Sequence, residues 1–466
     1  MVNFFLAVVS GLLIWFGFAP LELWIAPYLG IALLYRTLCE KPLPHRLILT
    51  MVTGLSLFLP LLHWSSVYVG AIPWLVLAIG ESLIFTLIGI PRWIRRWESA
   101  LSYALLFTLI ELLRMKAPFG GFGWGIAGFT QIDSINWVFP IIGVTGVSLI
   151  VALAALIFTS ARKFGAALMI AFLFGNATIN LLMKDSRETD FQITAIQGGV
   201  DNLGLDFNKR ALRVLDRHIQ ATARVPETDL YIWPENASDI DPLENPIANS
   251  KIVELINKID APLLIGAVET SDLGPKNSSL LFDAKGSLTS RYVKQDLAPF
   301  GEYIPLRHIA EAISPYAEQV NDFLSGKEWI KHVANEVPFQ SLICFEILDD
   351  DHAKDGARGS SFLIAQTNNA TFGESFEAAQ QLQITRARAA ESGREFAVVS
   401  TTGLTAHINK QGKVLASLPQ FLPGQITMKI DLIQPERATM AQRLESWMWV
   451  LALTLLTAVL RVGLSR

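Results

Sequence analysis

The chain has 466 residues, of which 51% are hydrophobic and only 17% charged, with a formal net charge of −4. Soluble proteins average roughly 25% charged residues, so this composition excludes a chain that is water-soluble throughout. The near-neutral charge balance gives no basic footprint and speaks against a nucleic-acid partner.

The apolarity is uneven along the chain. From Met1 to about Lys184, apolar stretches near 2–18, 23–38, 47–66, 72–90, 100–115, 138–160 and 164–182 read as seven spans. Most suffice for a helix crossing a ~30 Å hydrocarbon core. An eighth, WMWVLALTLLTAVL, lies near 447–460. The composition predicts eight transmembrane helices in three parts: a membrane domain over 1–184, a polar domain over 190–440 and a C-terminal helix over 445–463.

The short loops give the orientation. The second carries Arg36, Lys41 and Arg46, the fourth Arg92, Arg95 and Arg96, the sixth Arg162 and Lys163, and the tail Arg461 and Arg466. The loops FAPLELW and SSVYVGAIPW have no Lys or Arg, and only Arg114 and Lys116 break the pattern. The positive-inside rule places both termini in the cytoplasm and the polar domain outside. The first span lacks a basic leader and a small-residue cleavage site, so a retained anchor is expected. The chain's two cysteines, Cys39 and Cys344, then fall on opposite sides of the membrane and cannot pair.

In the polar domain, the runs FQITAIQG (191–198), DLYIWPE (229–235), APLLIGAVE (261–269), SSLLFDA (278–284), FQSLICFEI (339–347), SFLIAQT (361–367), EFAVVST (395–401) and GQITMKID (424–431) read as strands. Helical patterns occupy about 207–224, 246–259 and 374–392. Strands alternating with helices predict an α/β domain with sheet faces covered by helices.

Several of these runs end in reactive side chains: Glu235 in YIWPE, Cys344 in LICFE, with Lys294 and Glu302 in VKQDLAPFGEY. A thiol has an ordinary pKa of ~8.5 and is mostly protonated at neutral pH. A neighbouring ammonium favours the thiolate and a carboxylate can take its proton, so Glu, Lys and Cys make a workable nucleophilic set. The seven histidines are scattered, with no HExxH or Cys/His metal spacing, and there is no GxSxG elbow or Walker loop. No metal or cofactor is expected. In the membrane part, Glu111 and Arg114 lie three apart on one helix face and are expected to pair. Glu81 stands inside the fourth span, where a carboxylate is costly unless paired.

WPE at Glu235, K…PFGEY from Lys294 to Tyr303, and ICFE at Cys344 together resemble the Glu–Lys–Cys centre of the nitrilase superfamily. With the predicted spans, the resemblance narrows to the apolipoprotein N-acyltransferase family and runs nearly end to end. ELLR (111–114), FGWGIAGFTQ (122–131), GVTGVSLI (143–150), AIQGGV (195–200), NSSLLFDAKG (277–286), PFGEYIPL (299–306) and RARAAESGR (386–394) also fit. The resemblance implies a nitrilase-like α-β-β-α sandwich, with Glu235 as general base, Lys294 stabilising the tetrahedral intermediate and Cys344 as nucleophile. It implies support from Glu302 and Glu346, with the Phe345 backbone N–H as an oxyanion donor beside Lys294. Asn277, Tyr303, Asn368 and Phe372 would belong to the pocket.

The implied reaction moves an acyl chain from the sn-1 position of a phospholipid such as phosphatidylethanolamine to Cys344. From that thioester it passes to the α-amine of a diacylglyceryl-cysteine at an apolipoprotein's N-terminus. The implied setting is the bacterial cytoplasmic (inner) membrane with the catalytic domain in the periplasm, and nothing requires more than a monomer. This chain departs from the family pattern at Asn369, where an acid is usual, at Thr371, where Trp is usual, and at Phe345, where Tyr is common. Two other readings stay open: a membrane-anchored amidase hydrolysing a C–N bond with the same triad, and a catalytically silent binding protein.

Overall fold

The computed structural model describes residues 1–68, 70–95, 97–160, 190–200, 212–222, 227–308, 311 and 321–444. The expected spans at 164–182 and 447–460 lie outside the described residues, as do Arg96, Arg162, Lys163, Arg461 and Arg466. The chain divides into two compact units, Met1–Asp185 with Thr439–Arg466, and Ser186–Ala438.

The first unit contains α1 (Val2–Trp15), α2 (Ala26–Leu38), α3 (Leu43–Leu61), α4 (Ala71–Phe85), α5 (Trp97–Lys116) and α6 (Phe139–Ser160). Six expected spans therefore fall on helices, but the expectation of eight transmembrane helices is met only in part. Among the described residues, three stretches are long and apolar enough to cross a membrane: Leu43–Leu61, Ala71–Gly89 and Asn136–Leu153. α1 and α2 have 14 and 13 residues, roughly 20 Å at the α-helical rise and short of the ~30 Å core. The chain between them turns around Pro20 instead of continuing either helix. α5 has 20 residues but carries Glu98, Glu111, Arg114 and Lys116.

Buried polar groups tie these helices together. Ser10 Oγ donates to the Gly30 carbonyl at 2.6 Å, and Thr53 Oγ1 to the Ala7 carbonyl at 3.1 Å. The expected Glu111–Arg114 pair is not what forms: Arg114 pairs with Glu81 of α4. Its Nη2 also donates to the Trp124 carbonyl at 2.6 Å, and its guanidinium lies 4.4 Å over the Phe58 ring. Glu111 instead accepts from the Ala127 N–H at 2.7 Å. A buried guanidinium must be neutralised and a loop's amides need acceptors. The ELLR stretch meets both needs by clamping the glycine-rich segment that follows it.

The second unit is a two-sheet sandwich. One sheet has the order β12-β1-β2-β3-β4-β5, with β1 (Gln192–Gln197), β2 (Leu230–Ile232), β3 (Leu263–Glu269), β4 (Lys276–Phe282), β5 (Leu288–Val293) and β12 (Gly424–Lys429). The other has the order β11-β10-β9-β8-β7-β6, with β6 (His332–Ala334), β7 (Val337–Ile343), β8 (Phe362–Thr367), β9 (Phe396–Ser400), β10 (Ala406–Ile408) and β11 (Val414–Ser417). β1–β2–β3 and β7–β8–β9 are parallel. The remaining pairs are antiparallel.

Alternation along the strands divides the faces. Ile193, Ala195, Leu230, Ile232 and Leu264 meet Phe339, Phe362, Ile364, Ala397 and Val399 in the core between the sheets. Tyr231, Trp233, Leu263 and Ile265 point the other way, where Leu215 of α7 (Arg213–Thr222) and Ile252 and Ile256 of α8 (Pro246–Ile259) cover them. α9 (Asp350–Ala357) and α10 (Glu377–Ser392) pack on β7 and β9 of the other sheet. The layers are α-β-β-α. Gln366 of β8 crosses between the sheets: its Oε1 accepts from Ser279 Oγ of β4 at 2.7 Å and Ser341 Oγ of β7 at 2.5 Å. Its Nε2 donates to the Trp233 carbonyl at 2.6 Å.

Candidate active site

Three strands deliver the reactive side chains at their carboxyl ends, where loops shape a crevice. Glu235 follows β2, Lys294 follows β5 and Cys344 follows β7. The Glu235 turn lies so close on β3 that a Cβ at Gly266 would collide with the Pro234 carbonyl and Glu235 Cα. Thr401 Oγ1 pins the Glu235 carbonyl from the second sheet at 3.1 Å. Cys344 has φ +51° and opens the short 3-10 turn Cys344–Leu348. A left-handed backbone at a non-glycine residue is strained and persists only where surrounding contacts enforce it.

Those contacts are visible. Glu346, fully buried, accepts from the Ile343 N–H at 2.7 Å with one oxygen. Its other oxygen accepts from Tyr292 OH at 2.7 Å and the Gln295 N–H at 2.8 Å. One carboxylate thus binds the segment carrying Cys344 to the segment carrying Lys294. From α10, buried Arg388 donates to the Ile347 carbonyl at 2.9 Å and the Leu348 carbonyl at 3.0 Å. It is itself neutralised by Asp350 at 2.7 Å and Glu391 at 2.6 Å.

Lys294 is 1% exposed and pairs with Glu302 at 2.7 Å, while Glu235 stands 3.5 Å away. Asn277, at the start of β4, donates from Nδ2 to both Glu235 Oε1 and Glu302 Oε1 at 2.7 Å. The second oxygen of Glu302 also accepts from the Ala298 N–H at 2.7 Å. The Cys344 side chain lies within electrostatic reach of Glu235 and Lys294, and the cysteine is partly exposed. Two carboxylates thus share one ammonium, and Glu302 takes its direct contact. Glu235 keeps its reach to the thiol.

Electrostatics follow this arrangement. Burial pushes the Glu235 carboxyl up, Lys294 opposes that, and the Glu302 charge adds to it. Burial disfavours the Lys294 ammonium, but Glu302 and Glu235 outweigh it and hold the lysine above its usual range. Burial and the Glu235 charge push the Cys344 thiol well up, against the pull of Lys294. At rest the sulfur keeps its proton, with an acceptor already in place beside it.

The structure brings Glu235, Lys294, Cys344, Glu302 and Glu346 into one connected network. Asn277, expected to line the pocket, bridges both carboxylates at its centre. Phe345 is the second residue of the Cys344 turn, and its side chain, like those of Tyr303 and Phe372, is half-buried. Asn368 is buried and accepts from the Ala370 N–H at 3.2 Å. Sequence reasoning did not single out Arg388, Glu377 or Gln381, although all three stand in the 374–392 helical pattern. The signal was there: that helix has polar residues on every face, which a buried helix tolerates only when they bond one another.

Among the described residues, one group could offer three metal ligands, Asp296, Asp349 and His352. His352 Nδ1 lies 3.4 Å from Asp349 and 3.6 Å from Asp296. Burial opposes the imidazolium, but the carboxylates outweigh it and raise the pKa to about 9. A proton on His352 therefore satisfies these acids at neutral pH.

Comparisons with known proteins match both units of the chain. A family model for the apolipoprotein N-acyltransferase N-terminal domain matches residues 10–157, and one for carbon-nitrogen hydrolases matches residues 193–438. The apolipoprotein N-acyltransferase of Mycolicibacterium smegmatis is 31% identical, covering 91% of this chain and 80% of its own length. That of Haemophilus influenzae is 27% identical, covering 92% and 89%. Among solved structures, a mutant Nesterenkonia AN1 amidase of the nitrilase superfamily aligns with 57% of this chain and 98% of its own, at 15% identity and TM-score 0.43.

Proposed function

The chain belongs to the apolipoprotein N-acyltransferase family, and from that premise we propose that it acylates lipoproteins through a thioester on Cys344. The donor is a phospholipid of the phosphatidylethanolamine type, giving up its sn-1 acyl chain. The acceptor is the α-amine of a diacylglyceryl-cysteine at a lipoprotein's N-terminus. One observation carries this reading: Glu235, Lys294 and a partly exposed Cys344 converge at strand ends, while Glu302 takes the direct contact with the lysine that would otherwise quench the base.

In the first half-reaction Glu235 takes the thiol proton as Cys344 Sγ attacks the ester carbonyl. Lys294, and in this reading the Phe345 N–H, face the developing oxyanion. The carbon–oxygen bond then breaks, Glu235 returns its proton to the glycerol oxygen, and a lysophospholipid leaves. In the second half, the amine attacks the thioester carbon, its proton passes to Glu235, and the carbon–sulfur bond breaks. That proton returns to sulfur, and no water is consumed. Splitting one hard transfer into two easier ones is the general value of a covalent intermediate.

Lipid substrates suit the loop that carries Glu302, where Phe300 is 49% and Leu306 61% exposed. We assign the protein to the bacterial cytoplasmic membrane as a monomer, with 1–184 and 445–463 in the bilayer and 190–440 in the periplasm. The alternation of basic and uncharged loops supports both termini being cytoplasmic.

Intact-mass measurement after incubation with phospholipid tests the reading. A fatty-acyl adduct is expected on the native protein, absent from Cys344→Ala and discharged by a diacylated lipopeptide as an amide. Free fatty acid with no acylated lipopeptide would instead make the protein a hydrolase, and no adduct with no acylated peptide would sink the proposal.

A further inference from the structure

Asn369, Glu377 and Gln381 form a buried polar cluster beside Cys344, outside the Glu–Lys–Cys set. Glu377 and Gln381 stand one turn apart on α10, and Asn369 follows β8. Gln381 Nε2 reaches Cys344 Sγ at 3.6 Å. Hydroxyl donors surround the oxygen end of Asn369. The Ser400 hydroxyl accepts from the Gly403 N–H at 2.9 Å and donates to Asn369 Oδ1 at 2.5 Å. Thr367 Oγ1 gives Asn369 Oδ1 a second donor at 3.1 Å.

Asn369 Nδ2 is therefore the end that faces α10. It donates to Glu377 Oε2 at 2.6 Å and to Gln381 Oε1 at 3.0 Å. With its oxygen engaged by Asn369, Gln381 turns its N–H side to sulfur. The turn is held tightly, since a Cβ at Gly403 would collide with Asn369 Oδ1 and Ser400 Oγ.

We propose that Gln381 is a further catalytic residue, a hydrogen-bond donor to the Cys344 sulfur, held in its donating orientation by Asn369. The inference deepens the acyl-transfer reading, in which sulfur carries negative charge twice. On attack, the S–H proton goes to Glu235 as the carbon–sulfur bond forms. On discharge, the carbon–nitrogen bond forms, the carbon–sulfur bond breaks, and the electron pair stays on sulfur until the amine's proton arrives through Glu235. A donor aimed at that pair favours the charged form in both half-reactions. The need is real in this site, because burial and the Glu235 charge push the thiol up against the pull of Lys294.

The arrangement also accounts for Asn369, the position where an acid is usual. Asn keeps a donor toward Gln381 while the acid stands at Glu377. Asp at 369 would set an acceptor against Gln381 Oε1 and a second acid against Glu377.

The test uses the full-length protein with Cys39→Ser, leaving Cys344 as the single thiol, and follows its alkylation by iodoacetamide against pH. Gln381→Leu is expected to slow alkylation at pH 7 by about tenfold or more, the scale of a hydrogen bond to a charged group, and to move the inflection to higher pH. Asn369→Asp should move it the same way, and the double variant no further than Gln381→Leu alone. Discharge of a preformed thioester by lipopeptide should slow by a similar factor. Alkylation needs no lipid, so it reports on Gln381 even if acyl transfer fails.

A Gln381→Leu protein with native thermal stability and an unmoved alkylation profile would overturn the proposal. A shift in Gln381→Leu but none in Asn369→Asp would remove Asn369 from it. Should Gln381→Leu lose its cooperative melt, Asn369→Asp decides: an unmoved profile there overturns the proposal, and a raised one supports it.

Discussion

Each unit buries carboxylates with a cation, and the two sites resolve the same problem in opposite ways. In the helical unit, Arg114 meets Glu81, a carbonyl and an aromatic face, while Glu111 takes a loop amide. There each carboxylate has its own partner, Glu81 the guanidinium and Glu111 a backbone amide, and the bonds reach into backbone. In the sandwich, Lys294 is shared by Glu302 and Glu235, so negative charge is in excess, and the surplus carboxylate faces a thiol. A buried carboxylate with its own partner holds a structure together, whereas one left beside a thiol has a proton to move.

Substitutions can break that contrast, beginning with the largest effect. Cys344→Ala should abolish thioester formation and reduce acyl transfer at least about a thousandfold, read by lipopeptide acylation, with an unchanged melt. Lys294→Met should cost about a hundred- to a thousandfold in transfer, since it removes the charge facing the oxyanion. It should also destabilise the protein by about 3–5 kcal/mol, leaving two buried carboxylates without their cation.

Arg114→Met should cost a similar about 3–5 kcal/mol through the stranded Glu81, seen as a lower melting temperature, with little change in turnover of the folded fraction. Adding Glu81→Leu should recover much of that loss, because an apolar pair can replace a balanced one. The matching repair in the sandwich, Lys294→Met with Glu302→Leu, should recover stability but not turnover. If turnover returned there too, the distinction between the sites would fall.

The smallest expected effect is on pH. Burial raises the Glu377 carboxyl from 4.5 to about 8. Between those values the folded state keeps a proton that the unfolded chain has lost, so stability falls as pH rises across the interval. Glu377→Gln should flatten that fall in denaturant midpoints between about pH 5 and pH 8.

Much of the sandwich was legible in the sequence because its parallel strands are short apolar runs ending in turn residues. Strands such as APLLIGAVE and SFLIAQT match β3 and β8 closely. β6, β10 and β11 carry only three or four residues each, too few for a pattern to show. In β5 only Tyr292 is buried and half the residues are exposed, so no apolar alternation marks the strand that delivers Lys294.

At the site, Glu235 and Cys344 stood out by residue type at strand ends, and Lys294 by residue type alone. The role of Asn277 did not, because it depends on the antiparallel register of β4, which returns the start of that strand to the end where β2 finishes. Arg388 and Gln381 were hidden for another reason. A long polar residue on a helix ordinarily reaches water, and only the covering layers reveal that these do not. Helix length was overestimated wherever apolar residues continued past the last helical turn, since hydropathy does not distinguish a helix from the apolar loop after it.

Glu235 and Lys294 belong to one sheet and Cys344 to the other, so their spacing depends on how the two sheets register. Apolar contacts between sheets resist separation but oppose sliding only weakly, because they have no direction. Gln366 supplies the direction: bonded to Ser279, Ser341 and the Trp233 carbonyl, it acts as a dowel through both plates. Glu235 is two residues beyond Trp233, and Cys344 three beyond Ser341. The alignment of Glu235 with Cys344 is thus a matter of shear stiffness, set by a side chain sealed away from solvent.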